Sequence, residues 1–195
     1  MNEYLKPVFE KILPALKYVG IKYWVYGGVA YASMVGRCYR SNPDVDLFVL
    51  NSDFENAEEI LKNICQENTW KISKTFVKNR PKIEIYILKN NKKWIERLSV
   101  LPVYQKDNGV ELKFIEGSKL YQRDILNQEE RRLEGLTFFT ISNEFLKKLF
   151  IEYLESKRNY PSKRVEDAGY ILSEEEFKKY FPEQSYEKTK RKFIS

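Results

Sequence analysis

A chain of 195 residues, 43% hydrophobic and 32% charged, has enough apolar material for one substantial core and is globular rather than disordered. Lys and Arg number 34 against 28 Asp and Glu, a net charge of +6 that suits a polyanionic partner such as a nucleotide or RNA, while the absence of histidine removes Ser-His-Asp, Cys-His and HExxH chemistry at once. Cys38 and Cys65 lack zinc-site spacing, and reduced thiols, a charged N-terminal stretch and no apolar run of spanning length predict a soluble cytoplasmic protein.

Leu5, Val8, Ile12, Leu16 and Val19 recur at helical spacing ahead of Gly20, so the chain opens on an amphipathic helix with Pro14 as the place for a kink. Tyr23–Tyr26 is a short β-rich run ending at Gly27-Gly28, and Val29–Met34 reads as the helix that carries the chain away. Asp44–Leu50 is a second strand, and Asp53–Asn68 a helix with Ser52 or Asp53 as its N-cap. Trp70–Val77 and Lys82–Leu88 form two further strands separated by Asn79-Arg80-Pro81, and Val110–Ile115 alternates again after the Asp107-Asn108-Gly109 turn. From about Ser142 the period becomes helical. Phe145, Leu149, Tyr153 and Leu154 mark one helix, Lys163–Leu172 and Ser173–Tyr180 two more, with Ser173 and Glu176 spaced for a capping box and Lys188–Lys192 as a solvated end. Strands first and helices last predict an α+β fold, with a core over residues 1–140 and a helical segment over 141–195.

The chemistry concentrates between Tyr26 and Leu50. Asp44 and Asp46 stand at alternate positions of a strand and share a face; carboxylates that close call for a cation, and oxygen donors suit Mg2+. Gly27 and Gly28 let main-chain N–H groups approach a phosphate at a helix N-terminus, and Arg37 and Arg40 are placed to pair with phosphate oxygens. Glu84 is the preferred third carboxylate, on a strand whose Ile83, Ile85 and Ile87 face the other way, to hold metal or take the proton of an attacking hydroxyl; Glu111 is the competitor. Each feature also has a plainer explanation: a tight turn, a strand cap, an outward-facing carboxylate, a surface arginine.

The order Gly27-Gly28, Gly36-Arg37, Arg40, Asp44, Asp46 in GGVAYASMVGRCYRSNPDVDLFVL resembles the nucleotidyltransferase superfamily with the DNA polymerase β-like core. Within it, the stretch is similar to the lincosamide and aminoglycoside nucleotidyltransferase-like and AbiEii-type toxin branches, with Asn42 where their pattern favours Thr and an unusual Pro43 before the first Asp. The resemblance extends to about Leu88 and implies a mixed β-sheet flanked by helices. It also implies Asp44, Asp46 and Glu84 as catalytic metal ligands for Mg2+, two ions in number, with Gly27 and Gly28 on the triphosphate. Lys148 and the run Lys163–Asp167 look like the helical segment that closes such a site, Lys148 neutralising phosphate charge. The implied reaction moves NMP from an NTP onto a hydroxyl of RNA, tRNA included, or of a small molecule, and the toxin branch implies an antitoxin partner. The charge and 14 Tyr lean towards RNA. The alternative is a binding or regulatory protein on the same scaffold without turnover.

Overall fold

Pro14 has no N–H to give the carbonyl four residues back, and the opening helix is arranged around that lack. In the computed structural model, which describes residues 3–77, 79–89, 93–114, 117–156 and 160–191, a 3-10 turn at Glu3–Leu5 leads into a π-helical turn at Val8–Ile12. Leu13 N–H reaches back to Val8 O, and α1 (Leu13–Tyr18) then begins with Pro14 in its first turn, where no donor is required. The expected kink is therefore a change of helical pitch, and Leu5, Val8, Ile12 and Leu16 are all buried.

β1 (Tyr23–Tyr26) passes straight into α2 (Gly27–Val35), which stops at Gly36 in the left-handed region at φ 80°. β2 (Val45–Leu50) returns antiparallel to β1, and α3 (Phe54–Glu67) buries Phe54, Ala57, Leu61, Ile64 and Cys65. β3 (Lys71–Val77), β4 (Arg80–Lys89) and β5 (Lys93–Lys106) form an antiparallel meander whose last strand lies parallel to β2. β6 (Gly109–Phe114), β7 (Gly117–Tyr121), β8 (Glu129–Leu133) and β9 (Leu136–Thr140) complete a mixed sheet of order β3-β4-β5-β2-β1-β9-β8, with β6 on β5 and β7 on β6.

The helices α4 (Asn143–Glu155), α5 (Ser162–Ile171), α6 (Glu174–Tyr180) and α7 (Tyr186–Arg191) follow. Ser142 Oγ accepts from Phe145 N–H at the start of α4, and Ser173 with Glu176 forms the expected capping box at α6. Both α4 and α5 pack on α2, which brings the helical segment over the Gly27 turn. Among the described residues no helix is long and apolar enough to cross a membrane.

Candidate active site

Strand pairing places Tyr26, Asp46, Ser99 and Glu84 in one row across β1, β2, β5 and β4. Paired residues share a face, and the neighbouring rows Val45–Leu98–Ile85 and Leu47–Val100–Ile83 are fully buried on the other side. Burying the aliphatic rows thus forces the polar row onto the opposite face. Asp46 lies within β2, whereas Asp44 stands one residue ahead of the strand.

Gly27 has φ 70°, and a Cβ there would lie 2.5 Å from Asp46 Oδ2, so glycine is required both by the backbone and by the carboxylate pressed against it. A Cβ on Gly28 would collide with Asn42 Oδ1 and Arg40 Nη2. Pro43 O accepts from Arg97 Nη1 at 2.6 Å, which fixes the main chain just before Asp44. Burial first, and then the Asp44 charge, push the Asp46 carboxyl up to about 7 against the opposing pull of Lys82 and Arg164. Two like-charged oxygen-donor groups at one turn, one of them disfavoured as an anion, fit a divalent cation such as Mg2+.

Glu84 shares the row of Asp46, but Ser99 stands between them. Its carboxylate accepts from Lys82 Nζ at 2.6 Å, Tyr86 Oη at 3.0 Å and Thr75 Oγ1 at 3.4 Å. Burial works to raise it, yet the Lys82 contact and the two hydroxyls outweigh burial and hold it below the usual carboxylate range. Lys82 also bonds Glu96 at 3.0 Å, and Glu96, on the strand next to β2, is a carboxylate whose charge reaches Asp46. Among the described residues no set of three or more acidic, Cys or His side chains is gathered for a metal. Glu111 lies outside the row, on β6 opposite Tyr104, ion-paired to Lys106 at 3.6 Å.

Arg40 gives Nε and Nη2 to the two Asp167 oxygens at 2.6 and 3.0 Å rather than pointing freely at the turn. Arg37 is exposed with its guanidinium 6.0 Å from the Tyr170 ring, and Lys148 lies 5.3 Å from the Tyr121 ring in a separate hollow with Ser142 and Glu144. The structure therefore brings Gly27, Gly28, Asp44 and Asp46 together, sets Glu84 in the same row, and brings neither Arg37 nor Lys148 to the turn.

In front of Asp46 opens a cavity of about 290 Å3 whose wall is mainly apolar, with Tyr26, Tyr31, Phe48, Phe150 and Tyr153 among its lining and Lys119, Glu152 and Arg164 as its other charged side chains. The Tyr26 and Phe48 rings stack at 3.8 Å, and Tyr31 meets Phe150 edge-on at 5.4 Å. Lys82 and Ser99 are residues beside the site that sequence reasoning missed, and Arg164 entered it only within the run Lys163–Asp167, whereas the structure pairs it with Asp167 and sets it in the cavity wall.

Residues 6–96 match a family described as a nucleotidyl transferase of unknown function. No curated protein sequence matches the chain. Among solved structures, the chain is similar to the lincosamide antibiotic adenylyltransferase LnuA with lincomycin bound, at TM-score 0.59 and 16% identity over 88% of this chain and 96% of that one. It is also similar to ANT(2'')-Ia in complex with adenylyl-2''-tobramycin, at TM-score 0.58 and 16% identity over 96% of this chain and 92% of that one. A putative nucleotidyltransferase from Thermotoga maritima aligns at TM-score 0.52 and 13% identity over 79% and 86%. At such identities the likeness is one of fold.

Proposed function

We propose that the chain is a nucleotidyltransferase, an enzyme moving a nucleoside monophosphate from an NTP onto an acceptor hydroxyl and releasing pyrophosphate; the family match over residues 6–96 and the shared fold support that reading. The observation that carries this reading is the Gly27 turn pressed against Asp46, with Asp44 beside it at the mouth of a cavity. Asp44 and Asp46 would hold Mg2+, which when bound neutralises phosphate charge and holds the reacting groups in line. Main-chain donors at Gly27 and Gly28 cradle the triphosphate at the start of α2. The acceptor oxygen bonds to the α-phosphorus as the bridge to the β-phosphate breaks, and its proton leaves to solvent at the cavity mouth; Glu84, one strand beyond Ser99 with Lys82, Tyr86 and Thr75 on its oxygens, stands off from that transfer. The concave, mainly apolar cavity with five aromatic side chains in its lining supports a small-molecule acceptor ahead of RNA.

Ser99, opposite Asp46 on the adjacent strand, favours one second reading: a nucleotide-binding scaffold with little turnover, because a carboxylate there would complete the site and a hydroxyl does not. Label transfer from each α-labelled NTP with Mg2+, into RNA and into a small-molecule extract, separates the two. Label in either fraction with wild type and none with Asp46→Asn is expected. Bound NTP with no label in any fraction would leave the scaffold reading.

A further inference from the structure

Asp167, fully buried on α5, accepts four hydrogen bonds: from Tyr39 Oη at 2.7 Å, Arg40 Nε at 2.6 Å, Arg40 Nη2 at 3.0 Å and Arg164 Nη1 at 3.1 Å. One buried carboxylate thus serves two guanidiniums. They are not equivalent. Arg40 is 8% exposed, two of its nitrogens are committed to Asp167, its Nη1 bonds Ser41 O, and Glu166 adds a negative charge on its side. Arg164 is 22% exposed, lies 4.8 Å from the Tyr153 ring and lines the cavity with Asp46 and Gly27. Its positive charge acts on Asp46 across that cavity, so a divalent cation on Asp44 and Asp46 would leave Arg164 only its share of Asp167, which Arg40 already engages through two nitrogens.

We propose, resting on the nucleotide reading above, that Arg164 receives the diphosphate end of the nucleotide, and that Asp167 is a positioning residue setting its guanidinium there from α5. A planar fork steadied by an aromatic face and a buried carboxylate is pre-organised for phosphate oxygens, and it loses little freedom on binding them. The site then spans the chain: core residues hold the metal and the helical segment holds the departing phosphates.

The test is calorimetric titration of inorganic pyrophosphate with Mg2+ into wild type, Arg164→Ala, Arg164→Lys, Asp167→Asn and the Arg164→Ala/Asp167→Asn double variant, with Mn2+ alone as a control ligand. Arg164→Ala should weaken pyrophosphate at least tenfold and change Mn2+ affinity far less, while Arg164→Lys recovers part of the loss. Asp167→Asn should weaken it too, and the double variant should be no worse than Arg164→Ala, because Asp167 acts through Arg164. Losses that add would reduce Asp167 to a structural role, and pyrophosphate affinity unchanged in folded Arg164→Ala would overturn the proposal. If Asp167→Asn does not fold, Asp167→Glu takes its place. Wild type that binds neither ATP nor pyrophosphate would sink the nucleotide reading itself, a result distinguishable from failure of Arg164 alone.

Discussion

In the metal-free protein Asp46 keeps its proton far above the usual carboxylate range, because burial and the Asp44 charge both oppose ionisation. Its carboxyl is 3.8 by ordinary chemistry and about 7 when folded, so between those values the folded state binds the extra proton. Stability is therefore full below the lower value and declines as pH rises towards 7, by up to about 4 kcal/mol. Melting temperature followed from pH 5 to 8 should fall in wild type, stay flat in Asp46→Asn, and recover in wild type with Mg2+; identical slopes in the two proteins would contradict this account. Gly27→Ala should abolish transfer, because the new Cβ both displaces the Asp46 carboxylate and strains a positive φ by about 1–3 kcal/mol. Ser99→Asp adds a carboxylate opposite Asp46 and should tighten Mn2+ binding tenfold or more while lowering the melting temperature without metal. Gly27, Gly28, Asp44 and Asp46 were legible because the motif is local. Ser99 was not, and Arg164 was so only as a member of the run Lys163–Asp167, since each gains its meaning at the site from a partner more than 50 residues away.

β5 is the most consequential of the elements that the sequence concealed; β7, β8 and β9 were others, as was α7, which begins at Tyr186 and takes in part of the expected solvated end. All seven residues from Arg97 to Val103 are buried, the polar–apolar alternation of Arg97–Val100 lapses into the unbroken apolar run Val100–Val103, Pro102 adds a discouraging signal, and the register slips against β4 between Ile85 and Tyr86. Periodicity finds half-buried strands such as β4; it is blind to a central one. The cost of that blindness was specific: without β5, Glu84 looked like the neighbour of the Asp46 strand, when it lies one strand further out. Leu98 bridges Val45 and Ile85 at the heart of this region, so Leu98→Ala should cost about 2–5 kcal/mol in urea unfolding. Helix ends were easier, because capping chemistry is written in adjacent residues: Ser173→Ala should cost about 1 kcal/mol by the same measurement and leave pyrophosphate binding unchanged.

For the molecule as a whole, the α+β class follows from strands giving way to helices along the chain and the mixed sheet from the resemblance carried by the Gly27–Asp46 motif, whereas the parallel pairing of β2 with β5 and of β1 with β9 required the fold itself. The net charge of +6 bears on the acceptor. An RNA acceptor makes KM rise steeply between 50 and 200 mM salt, while a small acceptor seated among aromatic rings makes it nearly salt-independent; the latter is expected here. The Asp167 cluster sets a last consequence. Asp46 rides on an interior strand whose amides are shielded by neighbours on both sides, with Asp44 just ahead of it, so the strand should exchange hydrogen for deuterium only when the entire protein opens. Arg164 is tied to that interior through one carboxylate and an aromatic face, and α5 should release its amide protons in smaller, more frequent openings. As denaturant is added, pyrophosphate should therefore be lost before Mn2+.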